Sequence, residues 1–175
     1  MQPDNIEKIV IDPFTPVLGY GGQGVVYGVS DDAVAKVYHL NGPITRILAG
    51  GEDPERVAMR EYYIQKMLHQ AGFPVPEPYG VEEVTLIRPS SLFGLYKPDR
   101  TALIAERING VKGNALSGEN LERALHLFDK WLKEAWKLEF TGIDARLEDT
   151  IYVPSENKLY FVDFGMWSHP SVYSL

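Results

Sequence analysis

Apolar and polar positions along the 175-residue chain fall into short β-like runs broken by two stretches of helical spacing. Residues 6–18 mix β-branched and aromatic side chains with Pro13 and Pro16, which predicts an irregular edge strand, because proline cannot donate to a ladder. Residues 25–29 and 33–38 predict two strands joined by the turn residues Ser30-Asp31-Asp32, a short antiparallel hairpin. A connecting segment follows over residues 40–51, with Pro43 and Gly50-Gly51. The next helix has a strong start signal: Asp53 as N-cap, Pro54 at the first helical position and Glu55 against the dipole. It runs to about Ala71, where Gly72 and then Phe73-Pro74 end it. Val57, Glu61, Ile64 and Leu68 follow i, i+4, i+7, i+11, which puts a carboxylate on the apolar stripe. Such a group needs a partner.

Residues 75–89 predict strand pieces at Tyr79-Gly80-Val81 and 84–87, and residues 101–108 another strand, closed by Asn109-Gly110. Residues 89–100 read as a loop with a candidate strand at 92–96. Ser117 is the candidate cap of a second long helix, about residues 119–140. Its apolar stripe is Leu121, Leu125, Phe128, Leu132 and Ala135, with Trp131 and Trp136 flanking it. Residues 142–149 then read as a loop, and residues 151–153 and 159–162 as paired strands around the turn 154–158.

Composition narrows the function classes. Apolar content is ordinary for a globular protein, and the length suits one domain or two small lobes sharing a cleft. The net charge is −7 with no basic block, which argues against nucleic acid as the primary partner. There is no cysteine, so disulfides, thiolate zinc sites and cysteine nucleophiles are excluded. His39, His69, His126 and His169 show no metal-ligand spacing. With no signal-like N-terminus and no apolar run of membrane-spanning length, the expectation is a cytoplasmic protein without a membrane partner.

Residues 159–167 carry one carboxylate, Asp163, in a run otherwise apolar, aromatic or glycine. A charge in that setting is expensive unless a cation or hydrogen-bond donors meet it. Upstream, residues 18–26 match G-x-G-x-x-G-x-V through Gly19, Gly21, Gly24 and Val26. Glycines there let backbone amides approach phosphates, although a plain hairpin turn accounts for them equally well. A dinucleotide fold needs a helix after the glycines, and here a β-like run follows. In Ala33-Val34-Ala35-Lys36, Val34 and Lys36 share one strand face. Taken alone, Lys36 is a solvated edge lysine. Asp144 and Asp149 lie five residues apart with Arg146 between them, which by itself also describes a solvated acidic turn.

In collinear order, these segments resemble a minimal protein kinase from about Val17 to Trp167. The likeness is to reduced kinases of the RIO-like and small bacterial effector groups. It implies an α+β, bilobal fold with ATP between the lobes: a complete N-lobe over residues 1–108 and a strongly reduced C-lobe over residues 109–175. It implies that Gly19, Gly21, Gly24 and Val26 cover the nucleotide and that Lys36, anchored by Glu61, holds the α- and β-phosphates. Glu106 and Ile108 would offer backbone groups to adenine, with Ala105 as gatekeeper. Asp149 and Asp163 would hold Mg²⁺, Asp144 would act as catalytic base, and Arg146 would stabilise the transferred group.

Two departures stand out. Gly142 and Ile143 replace the His-Arg of H-R-D-x-x-x-x-N, and Asp149 replaces its Asn. Ten residues follow Gly165, which leaves no room for an activation segment and peptide platform. The resemblance therefore implies phosphoryl transfer to a protein Ser/Thr hydroxyl, autophosphorylation included, or else a pseudokinase acting as a regulatory ATP-binding module. A protein substrate or regulatory partner, or a homodimer, would cover the exposed helix surface. A small-molecule kinase lacks its helical substrate lobe here. A non-enzymatic α+β scaffold is the remaining alternative.

Overall fold

A computed structural model describes residues 9–21, 23–38, 53–90, 94–96 and 99–172. The predicted connecting segment 40–51 and Gly22 lie outside the described residues. The chain divides into two compact units, each discontinuous in sequence: Met1–Met59 with Tyr79–Ala105, and Arg60–Pro78 with Glu106–Leu175. The sequence suggested a single cut after residue 108. Instead, residues 60–78 are grouped with the C-terminal segment.

The first unit is built on a six-stranded sheet in the order β1-β5-β8-β4-β3-β2. Its strands are β1 (Val10–Ile11), β2 (Val17–Tyr20), β3 (Gly24–Gly28), β4 (Ala33–Tyr38), β5 (Pro78–Leu86) and β8 (Asp99–Glu106). The predicted edge strand over residues 6–18 resolves into β1 and β2, one at each edge of the sheet. The break between them is an Asx turn, in which Asp12 Oδ1 accepts from the Phe14 and Thr15 amides at 2.9 and 2.8 Å. These bonds hold the Asp12 carboxyl below its ordinary pKa, the Thr15 side chain contributing most. β1 runs parallel to β5, with Val10 opposite Thr85 and Ile11 opposite Leu86. β3 and β4 form the expected antiparallel hairpin. Val25, Tyr27, Ala35 and Val37 point to one face and meet Ile11, Val84, Leu86, Ala102 and Ile104 in a closed core. The loop expected over residues 89–100 contains a small hairpin, β6 (Arg88–Ser90) with β7 (Gly94–Tyr96).

Helix α1 (Pro54–Gln70) starts as the sequence predicts, with the Arg56 amide donating to Asp53 Oδ1 at 2.9 Å. Val57, Glu61, Ile64 and Leu68 are all buried, so the stripe with its carboxylate is real. The helix closes in a Schellman motif. Gly72 takes φ 79°, its amide donates to the His69 carbonyl, and the Phe73 amide donates to the Leu68 carbonyl at 2.9 Å.

In the second unit, α2 (Gly118–Lys137) packs against β11 (Lys158–Phe161) of a three-stranded sheet ordered β11-β10-β9. β10 is Thr150–Val153, and β9 (Val111–Lys112) is a short strand that the sequence did not suggest. Phe73 meets Trp131 at 4.8 Å and Phe128 stacks on Phe161 at 5.4 Å within one aromatic-rich core. The helix face differs from the expected stripe. Ala124, Leu127, Phe128, Trp131, Leu132 and Ala135 join the core, whereas Leu125 is 48% exposed and Trp136 is 61% exposed. The core is reached by the face centred on Ala124 and Trp131, two small-and-large positions that pattern alone ranks below leucine. Ser117 occupies the N-cap position, but its side chain makes no capping bond.

A 3₁₀ turn at Gly113–Ala115 packs against a second one at Leu147–Asp149. The approach is so close that a Cβ on Gly113 would overlap the Leu147 carbonyl oxygen, and Thr150 Oγ1 donates to that same carbonyl at 2.6 Å. We therefore predict that Gly113→Ala destabilises the protein by about 1–3 kcal/mol, the range for overpacking a fixed backbone contact. Chemical denaturation measures it, and an unchanged midpoint would contradict the packing described.

Candidate functional site

In the first unit the glycine motif forms the turn of the β2–β3 hairpin. Gly19 pairs with Val26 across a register shift, and the Gly21 amide donates to the Gly24 carbonyl at 2.9 Å. Gly24 sits opposite Tyr38, and a Cβ there would meet the Val37 carbonyl oxygen at 2.6 Å. Only glycine lets β3 and β4 approach this closely. Val26 lies directly opposite Lys36 in the next strand, so both side chains share the face away from the core. The Lys36 ammonium stands 5.5 Å from the Tyr38 ring centroid. Lys36 thus projects from the same face as the predicted Val26 contact.

Apart from Ala105, the other predicted residues fall in the second unit, Glu61 among them. Glu61 is 1% exposed, and its Oε1 accepts the Phe164 amide at 3.4 Å. The residue beside it on the helix, Arg60, donates from its guanidinium to the Gly165 carbonyl at 3.1 Å. The Asp163 carboxylate itself accepts the Gly165 amide at 3.2 Å, and the Trp167 amide donates to the Phe164 carbonyl at 3.0 Å. The Asp-Phe-Gly turn is therefore held at successive peptide groups. The expectation of a charge set among apolar side chains is corrected: Phe164 and Trp167 are buried, while Asp163 is exposed. The turn inverts the chain and sends the carboxylate outward.

The predicted catalytic loop leaves α2 and is pinned to the segment after the turn. Thr141 and Ser168 exchange both backbone hydrogen bonds at 2.9 Å, and their hydroxyls lie 2.8 Å apart. Asp144 is exposed and Asp149 half-buried. The Val162 amide donates to the Asp149 carbonyl at 3.1 Å, which sets Asp149 beside the residue preceding Asp163. Asp149 Oδ2 accepts the Arg146 amide at 3.1 Å. Burial is the main cause that raises the Asp149 pKa, opposed by that amide and reinforced by the charges of Asp163, Glu148 and Asp144. The Arg146 guanidinium bonds Glu148 at 3.1 Å.

The donor set fits a magnesium ion that arrives with other ligands. Asp149 and Asp163 would supply hard carboxylate oxygens, and the Asp163 charge adds to the burial that raises the Asp149 pKa. Among the described residues no group of three or more His, Asp or Glu side chains is arranged to hold a metal alone. Two carboxylates completed by phosphate oxygens and water suit magnesium's coordination habits.

The predicted hinge is partly spoken for. The Glu106 amide donates to the Glu77 carbonyl at 2.9 Å, and its carboxylate accepts the Glu77 amide at 3.1 Å. No hydrogen bond among the described residues engages the Ile108 amide. Ala105 is buried. Sequence reasoning missed Arg60, whose partner lies 105 residues away, and Gln65, a buried amide that donates to the Pro76 carbonyl at 2.7 Å. Gln65 falls one position beyond Ile64 on the buried side of α1, a signal that helical spacing contained.

No family model matches the chain, and no curated protein matches its sequence. Solved structures do match. A Stt7 homologue from Micromonas algae, in a crystal soaked with ATP, is similar with a TM-score of 0.62 at 14% identity, over 87% of this chain and 48% of that one. WbdD with the kinase inhibitor LY294002 is similar with a TM-score of 0.57 at 13% identity, over 89% of this chain and 34% of that one. A further structure, of the bifunctional kinase-methyltransferase WbdD, has a TM-score of 0.55 at 15% identity, over 85% and 31%. The chain thus spans between about a third and a half of the chains it resembles in these structures. What this likeness carries is the fold: the chain has a mixed α+β, protein kinase-like fold.

Proposed function

We propose that the chain binds ATP with Mg²⁺ and transfers the terminal phosphoryl group to a protein Ser/Thr hydroxyl, its own included. The observation that carries this reading is electrostatic. Asp149 lies within reach of the charges of Asp144 and Asp163, on a loop and a turn bonded to one another. Like charges disfavour one another's ionised form, and a cation shared by Asp149 and Asp163 would offset that. When bound, Mg²⁺ would neutralise charge on the phosphate oxygens.

The chain's own residues then divide the work. The backbone of the Gly19, Gly21 and Gly24 turn and Val26 would cover the nucleotide, and Lys36 would offset phosphate charge. The Glu106 carbonyl and Ile108 amide would orient adenine. Asp149 and Asp163 would hold the ion. Asp144 would accept the hydroxyl proton as the acceptor oxygen bonds phosphorus and ADP leaves. Transfer of this kind depends on position and charge neutralisation more than on covalent help from the protein. Use of ATP fits the cytoplasm as the compartment.

One observation favours a second reading, a regulatory ATP-binding module that works through a partner protein. Arg146, which would stabilise the transferred group, is engaged by Glu148 at 3.1 Å. Gly142 and Ile143 also stand where active kinases of this pattern carry His and Arg.

Labelled ATP incubated with the purified protein and a generic protein acceptor separates the two. We expect label on the acceptor or on the chain. Asp144→Ala should lower transfer by about 100-fold or more while ATP still binds, the usual scale for losing a catalytic base. Asp163→Ala should abolish Mg²⁺-dependent ATP binding. Binding without transfer in the wild type selects the regulatory reading, and no binding refutes both.

A second prediction concerns pH. Burial raises the Asp149 pKa in the folded state above its unfolded value, so the folded state holds more protons in the interval between them. Stability therefore falls as pH rises from the ordinary aspartate value through the raised one, and stays lower above it. Asp149→Asn should flatten that fall and raise the metal-free melting temperature at neutral pH. It should also weaken stabilisation by Mg²⁺-ATP. Melting curves against pH check this, and a lower neutral-pH melting temperature for the variant would contradict it.

A further inference from the structure

We infer that Arg60 is a positioning residue for the metal-binding carboxylate, an inference that rests on the phosphotransferase reading above. Arg60 and Glu61 are consecutive on α1, and both reach the same turn. Glu61 accepts the amide of Phe164, and Arg60 donates to the carbonyl of Gly165. Gly165 is therefore fixed at both ends, its carbonyl by Arg60 and its amide by Asp163 Oδ1. Rotation of the peptide after Gly165 would break the first bond, and rotation of the peptide before it would break the second. Arg60 would therefore act on the orientation of the Asp163 carboxylate through Gly165, the residue at which the two bonds meet.

The choice of side chain matters. Gly165 is buried, so its carbonyl needs a partner, and the half-buried Arg60 brings a charged one. Immobilising an arginine costs rotamer entropy, which the bond has to offset. The planar fork of donors fixes direction as well as distance, and the charge sits by the turn that bears Asp163. A bond of this kind would hold the carboxylate ready before the ion arrives, as outer contacts do around metal sites.

The test uses the full chain and two variants. Arg60→Met keeps the apolar stem and removes every donor. Arg60→Lys keeps the charge and one donor of similar reach. Amide hydrogen exchange is followed in the protein without metal or nucleotide. The Mg²⁺ dependence of ATP binding is followed by calorimetry. Arg60→Met should speed exchange at Phe164, Gly165 and Trp167 while the strand Lys158–Phe161 stays protected. It should also raise the Mg²⁺ concentration for half-maximal ATP binding by about tenfold, with Arg60→Lys restored to within about threefold, as for outer contacts at metal sites.

Unchanged exchange and an unchanged Mg²⁺ requirement in Arg60→Met overturn the inference. So does exchange that rises evenly over the whole second unit, since that marks a merely structural role. If the wild type binds no Mg²⁺-ATP, the phosphotransferase reading falls, and the metal side of this inference with it. The exchange pattern then still decides whether Arg60 holds the turn.

Discussion

The structure of the second unit depends on one buried charge. Glu61 is placed among Val57, Ile64 and Leu68 by the helical repeat, and nothing in the helix backbone can satisfy it. A carboxylate buried without donors is costly enough to forbid the arrangement. The Phe164 amide answers it at 3.4 Å, and this ties the Asp-Phe-Gly turn to α1. The buried aromatic cluster reinforces the tie, with Phe164 meeting Trp167 edge-on at 5.2 Å and Phe140 meeting Trp167 at 6.1 Å. Two apolar rings are pulled inward, so the polar residue between β11 and the first ring turns outward. Asp163 is exposed for that reason, although its sequence neighbours are apolar.

A second constraint works against the first. The turn and the loop before β10 bring carboxylates near Asp149, whose pKa is raised first by burial and further by the charges of Asp163, Glu148 and Asp144. This part of the molecule is stabilised by contacts around it rather than within it. Gly113 lets one 3₁₀ turn lie against the Leu147 carbonyl, Thr150 bonds the same oxygen, and the Thr141–Ser168 bridge fastens the loop to the segment beyond the turn. Surroundings that hold like charges close together are characteristic of functional sites. The exposed ion pairs along α2 matter far less. Lys133 with Asp129 and Lys137 with Glu134 lie in solvent, where such pairs contribute little.

Local signals were legible in the sequence wherever they decided the outcome. The Asp53 cap, the start of α1 at Pro54, its end near Gly72 and the strand Ala33–Tyr38 follow from capping and turn chemistry. The stripe holding Glu61 follows from the helical period. Features set by distant residues were not legible. The parallel pairing of Val10–Ile11 with β5 and the two-residue strand β9 depend on partners far along the chain. The buried face of α2 depends on what packs against it, so Ala124 lies in the core while Leu125, part of the expected stripe, is exposed. At the candidate site, the spacing from Asp149 to Asp163 reflects a hairpin between them, which is why both could be named. The Glu77 contact that takes the Glu106 amide, and the reach of Arg60 to Gly165, cross the chain and leave no local mark.

The central claim is that Asp149 and Asp163 together hold a divalent ion that arrives with a nucleotide. Paramagnetic broadening by Mn²⁺ with a non-hydrolysable ATP analogue tests it most directly, read from amide resonances of the labelled protein. The account predicts broadening centred on the amides of Thr150, Val162, Phe164 and Gly165, dependent on the nucleotide, with the hairpin tip at Glu156 spared. Broadening centred elsewhere, or none at these amides with the analogue bound, would contradict it.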